Sequence, residues 1–273
     1  LKWPPSLYYN FATDVIDVWA SEEKNKLAML WTDGDKKIEL TFKDISQQSQ
    51  QFANALTKLG CKKDDIILLI MGREIQWWIV LTACLRMGVV CSPGTTQLSK
   101  DDIAYRINAA GATCIVTDDE NAEKVDQVTT ECPTLKIKIK IGEEKKDWQL
   151  YDSIIKRENP FFDKPMIKYS DRALCYFTSG TTGYPKMTIH NHGYGYAHQI
   201  TGRYWLNLSP EDLHWNISDN GWAKAAYSSY FGPWTQGAAL FVSNEPVFTP
   251  EETIKTLERY PISTMCGAPT VYR

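Results

Sequence analysis

A loop of small polar residues that ends in a lysine is the most chemically suggestive stretch of the sequence. It consists of Thr178, Ser179, Gly180, Thr181, Thr182, Gly183, Tyr184, Pro185 and Lys186. The two glycines allow backbone N–H groups to converge on an anion, the hydroxyls add donors, and Lys186 adds a positive charge. This combination is typical of a loop that binds phosphate groups.

The loop differs from the common phosphate loop of nucleoside triphosphatases. There the lysine directly follows the second glycine, whereas here Tyr184 and Pro185 separate Gly183 from Lys186. The preceding segment LCYFT (174–178) is an apolar predicted strand, so the loop leaves the end of a strand, where α/β sheets place their ligand sites. Taken alone, an ordinary surface loop rich in small residues is the alternative.

Three histidines, His190, His192 and His198, follow the loop. We do not predict a metal site, because the H-x-H spacing lacks cysteine or carboxylate partners arranged as ligands. We instead expect His190 or His192 to lie near the phosphates and to orient the loop or the acid. No residues are spaced as a recognisable Ser/His/Asp triad, so hydrolase chemistry has no support.

Composition predicts a soluble globular protein. The chain has 273 residues, 43% of them hydrophobic and 23% charged, and a formal net charge of -3, which gives no reason to expect nucleic acid. The longest apolar run, residues 75–91, contains Arg86 and breaks at Gly88, so it predicts a buried helix and a strand and no membrane span. The seven scattered cysteines favour reduced, buried thiols in an intracellular compartment.

The segments between residues 66 and 141 alternate between strand and helix patterns. The predicted strands are IILLIM (66–71), VVCS (89–92), TCIVT (113–117) and LKIKIKI (135–141), and the predicted helices are 74–87, a segment capped by Ser99, and 120–132. Repeated βα units imply a parallel sheet with helices on both faces. The lysines that alternate through the last strand predict a sheet edge with one face in water.

A second array of strands and helices follows the glycine-containing loop. Its predicted strands are 213–217, 238–243 and 262–266, and its predicted helices lie within 222–234 and after Thr249. Near the start of the chain, LAMLW and KKIELTF predict a hairpin, and Thr41 with Asp44 predicts a helix start. We therefore expect an α/β fold of two mainly parallel, doubly wound arrays, divided into residues 1–172 and an incomplete second subdomain, 173–273.

The string TSGTTGYPK resembles the phosphate-binding signature of the adenylate-forming superfamily. EIQWWIVLTACLRMGVV, PGTTQLSKDDIAYRI, SDNGWAKAAYSSYFGPWTQGAALFV and YPISTMCGAPTVYR are similar, in order and spacing, to the medium-chain acyl-CoA synthetase family. This resemblance covers nearly the whole chain. It implies a ligase that uses Mg²⁺-ATP to convert a fatty or aromatic carboxylic acid into an acyl-adenylate and then, with coenzyme A, into an acyl-CoA. It also implies the mitochondrial matrix.

The resemblance assigns roles to individual residues. Thr178 to Lys186 would bind the phosphates of ATP, with Lys186 catalytic, and Gln97 would contact coenzyme A. Trp222 would form a wall of the acyl pocket, and Gly267, Ala268 and Pro269 would leave room for the acid. Each assignment has a plainer alternative, namely a solvated Gln97, a core-packed Trp222 and a tight strand exit at 267–269.

The chain departs from the family after GAPTVYR. The family continues there with the adenine-binding segment, the ribose-binding aspartate, a hinge and a C-terminal domain that carries a second lysine. Two hypotheses follow: the chain is about the first half of a ligase, or it is a truncated, non-catalytic product that binds nucleotide or acid weakly. In either case we expect the 273-residue chain alone to form no acyl-CoA.

Overall fold

The computed structural model describes residues 6–178, 183–245 and 249–272. Within these residues the chain is an α/β fold with two sheets. The strands are β1 (Leu27–Asp33), β2 (Lys36–Thr41), β3 (Ile66–Ile70), β4 (Val90–Gly94), β5 (Cys114–Thr117), β6 (Ile137–Lys140), β7 (Gln149–Leu150), β8 (Arg172–Thr178), β9 (Lys186–Asn191), β10 (Leu213–Asn216), β11 (Ala239–Ser243) and β12 (Thr264–Cys266).

Helices connect most of these strands. They are α1 (Asp17–Glu22), α2 (Phe42–Lys58), α3 (Ile75–Met87), α4 (Lys100–Ala110), α5 (Asp119–Val128), α6 (Tyr151–Ile155), α7 (Gly193–Ile200), α8 (Ala223–Ala226), α9 (Gly232–Thr235) and α10 (Pro250–Arg259). π-Helical turns cover Ala12–Ile16, Thr201–Trp205 and Tyr227–Phe231, and 3-10 turns cover Thr129–Glu131 and Pro269–Tyr272. None of the helices in the described ranges is long and apolar enough to cross a membrane.

The first sheet has the strand order β7-β6-β5-β3-β4-β8-β9 and is parallel except for the antiparallel pair β8 and β9. Successive residues of β3 face opposite sides of this sheet, as strand geometry requires. Ile67 and Leu69 pack in the core that contains α2 and α3, whereas Ile66 and Leu68 pack against α4 and α5. Helices on both faces confirm the predicted doubly wound arrangement.

The second sheet has the order β12-β10-β11-β1-β2. The predicted hairpin β1–β2 is present, and β1 pairs in parallel with β11, with Met29 opposite Leu240. Strands from the start and the end of the chain therefore share one sheet, while β8 and β9 belong to the other. The sheets interleave along the sequence, and the division at residues 172 and 173 stays a prediction.

One large core joins the two sheets. It includes Ile67 and Leu69 from the first sheet, Met29 and Leu240 from the second, and large aromatic side chains of the intervening helices. Burial of so much apolar surface is the main stabilising contribution to a domain of this size. All seven cysteines are buried and free.

The predicted edge position of the strand at 135–141 is wrong. The short strand β7 pairs outside β6. Both lysines of β6 turn back onto α5: Lys140, which is only 2% exposed, bonds the carboxylate of Asp119, and Lys138 Nζ lies 2.8 Å from Asp126 Oδ1. Acidic residues on the preceding helix neutralise these lysines, so the alternating charge does not mark a wet face.

Candidate functional site

The glycine-containing loop joins the ends of two antiparallel strands. Thr178 ends β8 and pairs with Lys186, which begins β9, and the Thr178 hydroxyl donates to the Lys186 carbonyl at 3.4 Å. β8 runs parallel to β4, so the loop leaves the carboxyl end of the parallel strands, as predicted. Ser179, Gly180, Thr181 and Thr182 lie outside the described residues.

The second half of the loop is described and reaches into solvent. Gly183 has a φ of 87°, a conformation that favours glycine, so this residue allows the turn back into β9. The Tyr184 side chain is 76% exposed, and Lys186 is also exposed. The Pro185 carbonyl accepts a hydrogen bond from the Tyr105 hydroxyl of α4 at 2.9 Å. An exposed cation at the end of a glycine-containing turn suits an anionic ligand.

Gln97 lies in the loop between β4 and α4. Its side chain is exposed, and its backbone N–H donates to the Thr95 hydroxyl at 3.3 Å. Ser99, the predicted cap, forms a capping box with Asp102, which fixes the start of α4 directly after this loop. The position of Gln97 fits both a solvated residue and a ligand contact, so its assignment to coenzyme A stays a prediction.

A second loop, residues 219–222 after β10, packs directly on the loop after β4. A Cβ atom on Gly221 would lie 2.1 Å from the Thr95 backbone nitrogen, so only glycine allows the two backbones to approach this closely. Asn220 Nδ2 also donates to the Gly72 carbonyl after β3, at 3.1 Å. The loops that carry Gln97 and Trp222 therefore meet at one edge. The sequence alone does not reveal this contact, although the Asn-Gly pair after a strand signals a tight turn.

Trp222 does not pack in the core, because 64% of its surface is exposed. Its backbone N–H donates to the Asp219 carbonyl at 3.2 Å, which places it at the start of α8. The core-packing alternative is therefore excluded, and the role of Trp222 in an acyl pocket stays a prediction. A large exposed aromatic side chain at a site edge is well suited to contact an apolar ligand.

Arg73 connects the two sheets beside this loop, a role that no local sequence pattern indicates. Its guanidinium donates to the Ile217 carbonyl at 2.8 Å, and the Arg73 carbonyl accepts from Trp31 Nε1 at 2.7 Å. Burial lowers the pKa of Arg73, and the charge of Asp219 opposes this shift. The contact fixes the exit of β10, from which the loop at 219–222 departs.

Gly267, Ala268 and Pro269 follow β12 at the carboxyl end of the second sheet. The Cys266 carbonyl accepts from the Ile217 backbone N–H at 3.0 Å, so this exit lies beside the exit of β10. A Cβ atom on Gly267 would lie 3.3 Å from Val271, which makes the turn tight. The structure therefore agrees with a compact strand exit, and contact with the acid stays a prediction.

Aromatic rings and histidines form a cluster between β9, α7 and the π-helical turn at Tyr227–Phe231. Tyr194 lies 4.3 Å from both His190 and His198, measured between ring centroids, and His198 stacks on Tyr227 at 5.2 Å. Burial lowers the pKa of His198 to about 4, and the neighbouring His190 lowers it further in the same direction. His198 is therefore a neutral ring at pH 7.

Of the two histidines expected near the phosphates, His190 or His192, the structure places His192 away from the loop, and the expectation for His190 stays a prediction. His192 follows β9 at the end where Asn191 pairs with Arg172, so a full strand separates it from the loop. It is 2% exposed, and burial lowers its pKa to about 4. His190 pairs with Leu174 and contacts Tyr194, so it faces the aromatic cluster. Nowhere in the described ranges do three His, Cys, Asp or Glu residues form a group that could hold a metal.

These features define a class of protein: an α/β protein that places the ends of its glycine-containing loop and its strand-exit loops at the carboxyl ends of its parallel strands. The family described as "AMP-binding enzyme" matches residues 16–273. The chain belongs to this family. It is 40% identical over 275 residues to "Acyl-coenzyme A synthetase ACSM3, mitochondrial" of Homo sapiens, and 40% identical over 276 residues to "Acyl-coenzyme A synthetase ACSM4, mitochondrial" of Rattus norvegicus. Each match covers 97% of this chain and 47% of the relative, so the chain spans about half the length of these relatives.

Solved structures share the fold. The anthranilate CoA ligase AuaEII in complex with anthranoyl-AMP has a TM-score of 0.90 and 21% identity, and the match covers 98% of this chain and 51% of that one. The acyl-CoA synthetase of Brucella canis has a TM-score of 0.90 and 24% identity, with coverage of 100% and 50%. At these identities the likeness establishes the fold.

Proposed function

We propose that this chain is the amino-terminal part of a ligase that activates a carboxylic acid with ATP and transfers the acyl group to coenzyme A. The observation that carries the proposal is that Thr178 and Lys186, the two ends of the glycine-containing loop, lie at the carboxyl end of a parallel sheet next to β4, whose exit loop contacts the loop after β10. The similarity to acyl-coenzyme A synthetases over 97% of the chain supports it.

In the first step a carboxylate oxygen attacks the α-phosphorus of ATP, and the bond to the leaving pyrophosphate breaks. Negative charge develops on the phosphate oxygens. The exposed Lys186, the hydroxyl-rich loop and its backbone N–H groups would stabilise this charge, since preorganised donors need no rearrangement during the reaction. Mg²⁺ would be bound by the phosphates of ATP and would enter as part of that substrate.

In the second step the thiol of coenzyme A attacks the acyl carbonyl, and AMP leaves. Gln97 and Trp222 sit on two loops that touch through Gly221, so a thiol entering past Gln97 would reach an acyl group held beside Trp222. Gly267, Ala268 and Pro269 would leave space for the acid at the neighbouring strand exit. Medium-chain fatty acids and aromatic acids both fit this proposal, and the mitochondrial names of the relatives favour the mitochondrial matrix.

Two assays test the function. Acid-dependent exchange of labelled pyrophosphate into ATP reports the first step, and thioester formation with coenzyme A reports the second, using butyric, octanoic and benzoic acids. The chain should be assayed alone and fused to the carboxyl-terminal half of an acyl-coenzyme A synthetase. We expect thioester only from the fusion, because the chain spans about half the length of the relatives it matches and both steps need the substrates to be held in place. An inactive fusion that folds and binds no ATP would refute the proposal.

A further inference from the structure

The middle of α4 contacts both described ends of the glycine-containing loop, which we call the phosphate loop after its proposed function. The ring of Tyr105 stacks on Tyr184, with centroids 4.9 Å apart and planes at 19°, and its hydroxyl donates to the Pro185 carbonyl at 2.9 Å. The same ring meets Phe177, at the end of β8, edge-on at 6.1 Å. The Arg106 guanidinium lies 4.8 Å from the Phe177 ring centroid. One helix thus holds the strand that enters the loop and the segment that leaves it.

The helix itself is firmly anchored. The capping box of Ser99 and Asp102 fixes its first turn, and Ile103 and Ile107 are fully buried against the first sheet. By contrast, β9 is the outermost strand of that sheet and pairs only with β8 among the described strands. Its side chains are partly in solvent, with Met187 45% exposed. Besides β8, it is α4 that contacts the segment leaving the loop, through Tyr105, and stabilises its position.

Two hydroxyls fix the backbone on either side of Lys186. The Tyr105 hydroxyl binds the Pro185 carbonyl, which belongs to the peptide unit before Lys186, and the Thr178 hydroxyl binds the carbonyl of Lys186 itself. Pro185 has no N–H group and a restricted φ, so its carbonyl is the main polar contact that this residue can offer. Holding both peptide units sets the direction in which the Lys186 side chain leaves the backbone.

We propose that Tyr105 is a positioning residue for the phosphate loop, which orients Lys186 for the phosphates of ATP without touching the nucleotide. This inference rests on the proposed function. The hydroxyl and the ring of Tyr105 make separate contacts: the hydroxyl donates to the Pro185 carbonyl, and the ring stacks on Tyr184. Removing the hydroxyl alone therefore loosens the peptide unit before Lys186 and leaves the stacked rings in place.

The test compares Tyr105→Phe, Tyr105→Leu and Lys186→Ala in the active enzyme that carries this chain, by pyrophosphate exchange. Tyr105→Phe should lower kcat/KM for ATP by about 2- to 12-fold, the range expected for one hydrogen bond, and leave KM for the acid unchanged. Tyr105→Leu should add a further loss of similar size, because the ring contacts also disappear. The backbone amides of Tyr184 and of residues 186–190 should exchange hydrogen faster in both variants.

Tyr151→Phe is the matched control. It removes a buried hydroxyl that has no hydrogen-bond partner in the described part of the chain, on the helix that packs against Phe52 far from the loop. It should leave all kinetic constants unchanged. Wild-type kcat/KM for ATP in Tyr105→Phe, or an equal loss for ATP and acid, would overturn this inference. If Lys186→Ala also keeps wild-type use of ATP, the phosphate role of the loop fails instead.

Discussion

Replacing Gly221 with alanine should separate the two loops that bring Gln97 and Trp222 to one edge. A Cβ atom there would lie 2.1 Å from the Thr95 nitrogen and 2.4 Å from the Gly94 carbonyl carbon, and both are backbone atoms that cannot rotate away. Non-bonded atoms approach to about 3.5 Å, so one loop must move by more than ~1 Å. Such a displacement of substrate-positioning residues can cost about 100-fold in rate. The overpacking should also destabilise the fold by about 1–3 kcal/mol.

The assay is thioester formation by the active enzyme, with the acid and coenzyme A varied separately. We expect kcat/KM for the acid and for coenzyme A to fall by about 10- to 100-fold. The KM for ATP, measured by pyrophosphate exchange at saturating acid, should not change, because the substitution does not displace the glycine-containing loop. Gly72→Ala is the control, since its Cβ would meet no atom within 4 Å although Gly72 lies in the adjoining loop. If Gly221→Ala matches Gly72→Ala in kinetics and melting temperature, the loop contact does not position the substrates.

Three further predictions concern single side chains. Lys186→Ala should reduce adenylate formation by about 10- to 1,000-fold, and unchanged formation would contradict a phosphate contact. Trp222→Ala should change which acid is preferred, by about 1–3 kcal/mol per methylene-sized difference. Because Trp222 is 64% exposed, the variant should keep the wild-type melting temperature. An equal loss of activity with every acid, together with a lower melting temperature, would contradict a role in the pocket. Burial lowers the pKa of His192 from 6.5 to about 4. Between these two pH values the unfolded chain binds this proton and the folded chain does not, so the free energy of unfolding falls as the pH is lowered from 6.5 towards 4. His192→Gln should reduce the pH dependence of the free energy of unfolding by up to about 1.4 kcal/mol per pH unit, measured by denaturant unfolding. The same pH dependence in the variant and the wild type would refute this.

Local signals predicted most of the fold. The caps at Thr41, Ser99 and Thr249 each bond the backbone three residues later, as their sequences indicate. Strands β3 to β5 are confirmed because their apolar runs are buried on both faces. Such signals depend on neighbouring residues alone, and for that reason the sequence reports them well.

The errors arise where distant residues decide the outcome. β9 was not predicted, because KMTIHN alternates weakly and lies at an exposed sheet edge. The lysines of β6 were misinterpreted, because their partners Asp119 and Asp126 lie on the preceding helix. For the candidate site, the position of the glycine-containing loop at a strand end could be predicted from the sequence, but the approach of Gly221 to Thr95 depends on how two sheets pack.

The pairing of β1 with β11 has a consequence for synthesis on the ribosome. The Thr32 hydroxyl donates to the carbonyl of Val242, 210 residues further along the chain. At about 5–20 residues per second, β11 is translated roughly 10–40 s after β1. During that time the β1–β2 hairpin has an open edge of unpaired backbone groups, while β3 to β6 can already pair with one another. The nascent chain can therefore complete its first sheet, whose last strand along the sequence is β9, before the second sheet closes, and its oldest strands keep an open edge until β11 emerges.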